Sequence, residues 1–96
     1  MGIKLIALMN CKSDAEDTLE QELQRLVEAS VKESGCLKYE LYQYKGQRCH
    51  YVMMEEWLNE EALNKHKESS HYKYFSRIAP VLLDKPVEII MLTRLV

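Results

Sequence analysis

Side chains that could perform acid–base chemistry are concentrated between residues 39 and 77 of the chain. They are tyrosines, histidines, carboxylates, one tryptophan and one arginine: Tyr39, Tyr42, His50, Tyr51, Glu55, Glu56, Trp57, His66, His71 and Arg77. Histidine ordinarily titrates close to neutral pH, so His66 and His71 are the first candidates for moving a proton. The chain also has six tyrosines, which favour a pocket for a flat, phenolic or quinone-like ligand.

Each of these side chains also has a purely structural interpretation. His66 follows Leu63 by about one helical turn, so it should face inward, as a hydrogen-bonded core histidine or as an acid–base group. His71 lies at a predicted helix start, where the positive end of the helix should keep its ring neutral. A capping or packing role suits His71 as well as a catalytic one. Trp57 fits a core position or a substrate platform, and Met53 fits core filler or a pocket wall.

The common patterns for bound cofactors are missing from the sequence. It contains no glycine-rich nucleotide loop, no zinc-protease helix motif and no hydrolase nucleophile elbow. The five-residue step from His66 to His71 should place their rings on different faces of one helix, which argues against a metal pair. Glu55 and Glu56 alternate across a strand, so they cannot form a carboxylate pair, and one of them must face the helices or a partner. We therefore expect neither a metal nor a cofactor.

Length, charge and cysteine content limit the class of protein. The 96 residues fit a single domain, and 13 basic against 15 acidic residues leave no basic stripe for nucleic acid. The apolar stretch 3–9 is short and interrupted by Lys4, so it fits neither a signal peptide nor a membrane span. Cys11, Cys36 and Cys49 fit reduced, buried thiols. We expect a cytoplasmic protein.

Hydrophobic periodicity predicts a long amphipathic helix in the first half of the chain. Ser13-Asp14-Ala15-Glu16 forms a capping box, in which serine and glutamate satisfy each other's backbone N–H groups. Leucines and valines then recur at helical spacing as far as Ser34-Gly35, where glycine can take the left-handed stop conformation. The helix is therefore expected over 13–34.

The rest of the chain predicts four strands and a broken helix. The strands are expected over 3–11, 36–44, 48–57 and 87–96, with a hairpin at 45–47. Asn59 can cap a first helical piece through Lys67, and Ser69 or Ser70 can cap a second that runs towards Pro80. In the second piece Tyr74, Phe75 and Ile78 should point inward. The order is βαββαβ, an α+β, ferredoxin-like split in which helices cover one face of a four-stranded antiparallel sheet.

The other face of this sheet should carry apolar side chains such as Ile6 and Leu8. Soluble monomers rarely expose an apolar patch of this kind. Pairing of two sheets in a symmetric homodimer would cover it, so we expect dimerisation through the sheet face.

Short motifs occur in a characteristic order along the chain. They are Glu33-Ser-Gly-Cys-Leu-Lys-Tyr-Glu-Leu, Glu56-Trp57, Glu61-Ala62-Leu63 with His66, and Ser70-His71-Tyr72-Lys73-Tyr74-Phe75. Together they resemble the antibiotic biosynthesis monooxygenase family. The resemblance implies one domain over 1–96, a dimeric α+β barrel, and oxygenation of a small phenolic or quinol-type aromatic substrate by O2 without metal or flavin.

The resemblance also implies roles for individual residues. Trp57 would hold the substrate, and His66 or His71 would accept a proton. Pocket chemistry adds further substrate-binding candidates: Tyr39, Tyr51, Met53 and Arg77.

The same resemblance raises two other activities, and a third alternative is not catalytic. Haem-degrading relatives have a tryptophan where this chain has His66 and a ligating histidine where it has Ser76, which argues against haem. Relatives that isomerise a phosphorylated sugar would need an anion site, for which Lys65, Lys67, Lys73 and Arg77 are available without forming a clear phosphate loop. A non-catalytic, dimeric small-molecule-binding protein is the third alternative.

Overall fold

A computed structural model describes residues 2–96 of the chain. The elements are β1 (Ile3–Asn10), α1 (Glu16–Ser30), β2 (Cys36–Gln43), β3 (His50–Trp57), α2 (Glu60–Glu68), α3 (Ser70–Leu82) and β4 (Glu88–Leu92). The strands form one antiparallel sheet in the order β2-β3-β1-β4. The predicted α+β, ferredoxin-like fold is confirmed.

The two faces of the sheet differ in what lies against them. On the covered face, Leu5, Ala7 and Met9 of β1 belong to one buried cluster with α1 residues Leu19 and Leu23. This face lies under the helices. Side chains alternate between this face and the opposite one, because successive residues of a strand point to opposite sides of the sheet.

The open face carries the intervening side chains of the same strands. Ile6 lies opposite Met54 on β3 and Ile90 on β4, and Leu8 lies opposite Val52. These residues form the apolar centre of the open face, and Ile90 is 37% exposed. The alternation that the sequence predicts for β1 is present in the structure.

The ends of α1 differ from the prediction. The helix begins at Glu16 with Ala15 as its N-cap, and no side chain of the described residues caps it. The capping-box prediction is wrong because Asp14 takes a positive φ of 67° and the Ala15 N–H bonds the carbonyl of Lys12 in a turn. The helix ends at Ser30, before the predicted stop.

Gly35 has a packing role in place of the predicted helix-stop role. A Cβ built on Gly35 would lie 2.3 Å from the Cβ of Ala62 on α2. Since real Cβ atoms do not approach so closely, glycine lets α2 pack directly on the loop before β2.

Two side-chain caps separate α2 from α3. The Asn59 side chain accepts the Ala62 N–H at 2.9 Å, and the Ser69 hydroxyl accepts the Tyr72 N–H at 3.2 Å. Ser69 is extended, with φ −69° and ψ 153°, so it ends one helix and begins the next. The predicted break in the helix is confirmed, with Ser69 rather than Ser70 as the cap.

The last helix and strand also differ in detail from the prediction. α3 continues through Pro80 to Leu82. Phe75 is buried as predicted, but Tyr74 is 41% exposed and its hydroxyl donates to Glu22 at 3.0 Å. The inward orientation predicted for Tyr74 is therefore wrong. β4 covers only Glu88–Leu92 of the predicted 87–96.

The cysteines depart from the expected reduced state. Cys11 and Cys49 form a disulfide between the end of β1 and the residue before β3, so the prediction of free thiols is wrong for this pair. Cys36 is free and partly buried. The cytoplasmic location rested partly on reduced cysteines and stays a prediction. Among residues 2–96, no helix has both the length and the apolar character needed to cross a membrane.

Candidate active site

A cavity of about 570 Å³ opens on the covered face of the sheet. Its walls come from β1, β2, β3, α1, α3 and the segment that leads into β4. The lining residues include Ala7, Met9, Leu23, Leu26, Tyr39, Met53, Glu55, Tyr72, Phe75, Ser76, Ala79, Leu83, Val87 and Ile89, with Lys12, Asp84 and Lys85 among the others. Most of this surface is apolar, and the volume suits a small organic ligand.

Glu55 is a buried carboxylate in the lining of this cavity. Its residue is only 7% exposed, and its Oε1 accepts the indole N–H of Trp57 at 3.0 Å. Burial raises the pKa of Glu55 to about 7; the Trp57 N–H opposes this shift, and the nearby charge of Glu33 adds to it. The Glu55 carboxyl can therefore accept or release a proton close to neutral pH.

Two tyrosines line the same cavity beside Glu55. Tyr39 is 5% exposed, and burial together with the charge of Glu55 raises the pKa of its phenol far above the usual range. Tyr39 therefore keeps its proton and can donate a hydrogen bond. Tyr72, from the first turn of α3, is the second of these phenols.

A cluster of Glu33, His66 and His71, here called the histidine cluster, lies next to this cavity. Glu33 Oε2 is 2.7 Å from Nδ1 of His66 and 2.8 Å from Nε2 of His71. The predicted separation of the two rings is wrong, because the chain turns at Ser69 and the histidines belong to different helices. Their ring centroids are 5.8 Å apart.

His66 lies in an aromatic environment. Its ring centroid is 4.5 Å from that of Trp57, 5.0 Å from Tyr72 and 5.3 Å from Tyr39. His66 is 1% exposed, and its Nε2 has no hydrogen-bond partner among residues 2–96. Burial lowers the pKa of His66, although the bond to Glu33 opposes the shift. The imidazole is therefore held near its neutral form.

Comparison with known proteins identifies the family. Residues 2–77 match the model of the antibiotic biosynthesis monooxygenase family. The chain belongs to this family. It is 31% identical to YcnE of Bacillus subtilis, named as a candidate monooxygenase, over 92% of this chain and 93% of YcnE.

Solved structures of similar proteins have the same fold. PA3566 of Pseudomonas aeruginosa superimposes with a TM-score of 0.93 at 36% identity, over 99% of this chain and 95% of that one. Rv0793 of Mycobacterium tuberculosis gives a TM-score of 0.92 at 27% identity, over 99% and 96% of the two chains. These similarities confirm the recognised family and support a monooxygenase-like function.

The structure brings together most of the predicted site residues of this family member. Tyr39 and Met53 line the cavity. Trp57 is 0% exposed and His66 1% exposed, so both lie behind the cavity surface. His71 is partly exposed, with a side-chain exposure of 23%. These positions fit a cavity floor backed by aromatic and histidine side chains.

Two predicted residues lie elsewhere. Tyr51 is 2% exposed, pairs with Met9 across the sheet and donates to Glu20 at 3.3 Å. Arg77 is exposed, with its guanidinium 5.8 Å from the ring centroid of Tyr74. Neither is among the residues that line the cavity.

Three residues of the site were not predicted. Strand alternation requires Glu55 or Glu56 to face inward but does not choose between them, and the structure places Glu55 there. Tyr72 belongs to the motif at residues 70–75, which gives this tyrosine no role of its own. Glu33 lies between α1 and β2, where no periodic pattern indicates the direction of a side chain.

Proposed function

We propose that the protein is a cofactor-independent monooxygenase that oxidises a small phenolic or quinol-type aromatic substrate with O2 in the covered-face cavity. The family supports the monooxygenase-like function, and the substrate class extends it. The observation that carries the proposal is a buried carboxylate, Glu55, with a pKa of about 7 in the lining of a largely apolar cavity.

The first step would be removal of the substrate's phenolic proton by ionised Glu55. The phenolate is more electron-rich than the phenol and can pass one electron to O2, giving superoxide and a substrate radical. Recombination at a ring carbon that carries hydrogen forms a C–O bond and gives a peroxide. Loss of water leaves a carbonyl at that carbon. One oxygen atom stays in the product, the other leaves as water, and the substrate supplies all the electrons.

The surroundings of Glu55 suit this sequence of steps. Apolar walls that include Leu26, Met53 and Phe75 would keep water from the peroxide and the radical pair. The Tyr39 hydroxyl, which stays protonated, can donate to the substrate oxygen as negative charge develops there. The cavity itself would hold the flat substrate next to the base.

His66 and His71 remain second candidates for proton acceptor. Neither histidine is among the residues that line the cavity, and His66 is only 1% exposed, so a substrate in the cavity would reach His66 only if neighbouring side chains moved. We therefore assign the first proton transfer to Glu55. The histidines could accept a proton in a later step.

We also propose a homodimer formed through the open face. Its apolar centre, with Ile6 opposite Met54 and Ile90, would be removed from water by a second copy. Charged residues surround this centre, including Lys4 and Glu56, whose charged groups are 4.0 Å apart. An apolar centre with a charged rim is typical of protein interfaces.

Oxygen uptake with a panel of quinols and anthrone-like phenols tests the proposed function. The wild type is compared with Glu55→Gln, His66→Ala and the control Glu56→Gln, which changes the neighbouring carboxylate on the open face. We expect uptake by the wild type and Glu56→Gln and its loss in Glu55→Gln. No uptake above background by the wild type would refute the monooxygenase proposal. Loss in His66→Ala alone, in a folded protein, would move the proton acceptor to the histidine.

A further inference from the structure

The histidine cluster has the features of a metal site. Glu33 Oε2, His66 and His71 each offer one ligand atom, and these atoms all lie within 4.8 Å of one another. They come from three parts of the chain: the α1–β2 connection, the end of α2 and the start of α3. We propose that this cluster binds a divalent transition-metal ion of the zinc class, at a site separate from the cavity.

The short distances within the cluster require positive charge or protons between the atoms. Glu33 Oε2 lies 2.7 Å from one ring nitrogen and 2.8 Å from another. Two lone pairs do not approach so closely without a proton or a cation between them. A metal ion bound by all three groups would replace these protons, and each histidine would then carry its proton on the ring nitrogen that faces away from Glu33.

Metal binding through Nδ1 requires a neutral His66 ring with its proton on Nε2. If the proton is on Nδ1, the Nε2 lone pair is left buried without a partner among the described residues. If it is on Nε2, the protonated ring lies among aromatic rings, among them Tyr72, which is inclined at 68° to the imidazole with ring centroids 5.0 Å apart. Aromatic faces accept N–H groups weakly. The Nδ1 lone pair then faces Glu33 and is free to bind a cation.

The ligand set is chemically suitable. Two histidines and one glutamate hold zinc in known protein sites, with bonds of about 2.0 to 2.2 Å and a fourth position left for water. Tetrahedral bonds of that length separate ligand atoms by roughly 3.3 Å, so the present contacts must lengthen by about half an ångström. The side chains of Glu33 and His71 are 17% and 23% exposed, which gives them room to adjust and gives a metal ion access.

The nearby charges partly balance one another. Glu33 provides negative charge beside His66, whereas Lys67 opposes a cation there. The sequence predicts no metal site, because His66 and His71 should lie on different faces of one helix. The proposed metal site departs from that prediction. It also goes beyond the proposed oxygenation, which needs no metal.

Titration of metal-free protein with Zn²⁺ in a calorimeter tests the site. We expect one Zn²⁺ per chain with micromolar or tighter affinity, and Co²⁺ in its place should give visible absorption bands. Removing a second-shell partner of a metal site typically costs about 10- to 100-fold in affinity. Loss of a ligand in Glu33→Gln or His71→Asn should therefore weaken binding by at least about 100-fold. His50→Asn, which changes a histidine bonded to Asn10, should bind as the wild type does.

Nitrogen-15 NMR of the histidine rings of the wild type gives a test that needs no variant to fold. Zn²⁺ should shift the ring nitrogens of His66 and His71 and leave those of His50 unchanged. Absence of saturable binding, shifts confined to His50, or unchanged affinity in both Glu33→Gln and His71→Asn would overturn the proposal. Binding is measured without substrate and oxygen uptake with a chelator, so each proposal can fail while the other stands.

Discussion

The two faces of β3 show how neighbouring residues of one type come to differ in chemistry. Glu55 lies on the covered face, is 7% exposed and has a pKa raised to about 7. Glu56 lies on the open face, where its side chain is 32% exposed and 4.0 Å from the Lys4 amine. The difference comes from burial rather than from residue type. The covered face therefore supplies the candidate base, and the open face supplies the candidate interface.

The largest effect should come from replacing the Glu55 carboxylate by an amide, and the same replacement at Glu56 is the comparison. Glu55→Gln keeps an acceptor for the Trp57 N–H but cannot accept a proton, so oxygen uptake should fall by about 100- to 10,000-fold, the usual contribution of a positioned base. Glu56→Gln should change uptake by less than about twofold, because Glu56 faces away from the cavity and its exposed ion pair with Lys4 contributes little. The measurement is the initial rate of O2 consumption at pH 8. Equal losses in both variants would show that the two faces are not functionally distinct.

The second prediction concerns the open face. Ile6→Asp places a charge at its apolar centre, and burying an unpaired charge is costly, so the dissociation constant of the proposed dimer should rise by at least about 100-fold. Val81→Asp changes an apolar side chain of α3 that is 70% exposed and should leave association unchanged. Light scattering after size exclusion reports the mass of each variant. A monomeric wild type at micromolar concentration would remove the interface proposal.

The third prediction follows from the stability consequence of a buried carboxylate. The folded pKa of Glu55, about 7, lies above the ordinary value of 4.5, so the protonated group favours the folded state below pH 4.5 and this contribution is lost as pH rises through 7. Glu55→Gln should thus be more stable than the wild type at pH 8, on the order of 2 to 3 kcal/mol. The gain should disappear near pH 4.

Urea unfolding at the two pH values measures this difference. Glu56→Gln serves as the control, with no comparable gain at pH 8. If Glu55→Gln were no more stable than the wild type at pH 8, the burial argument for its raised pKa would be wrong, whatever happened to activity.

The sequence predicts the elements better than it predicts the site. Alternation in β1 and the Asn59 and Ser69 caps depend on nearby residues, so the fold can be derived from them. The histidine cluster depends on tertiary packing: His66 and His71 meet because α2 and α3 turn at Ser69, and Glu33 joins them from a loop.

The same distinction explains the errors in the first half of the chain. The Cys11–Cys49 disulfide joins residues 38 positions apart, a proximity that no local pattern reveals. The capping box at 13–16 satisfies the local rule, but the turn at Asp14 replaces it. Glycine at position 35 fits a helix stop locally, and only the packed structure shows that Ala62 lies against it.

The smallest effect extends the comparison to two glycines in different environments. Gly35→Ala would force a Cβ to within 2.3 Å of the Ala62 Cβ, displacing α2, and overpacking of this kind costs about 1 to 3 kcal/mol. At Gly46, φ is 75°, and among residues 2–96 no atom beyond its two chain neighbours lies within 4 Å of the added Cβ, so alanine there costs only backbone strain, about 1 to 2 kcal/mol. Because α2 carries His66, Gly35→Ala should also shift the ring signals of that histidine in NMR spectra, whereas Gly46→Ala should not. Identical spectra for the two variants would show that the contact between Gly35 and Ala62 does not position the histidine cluster.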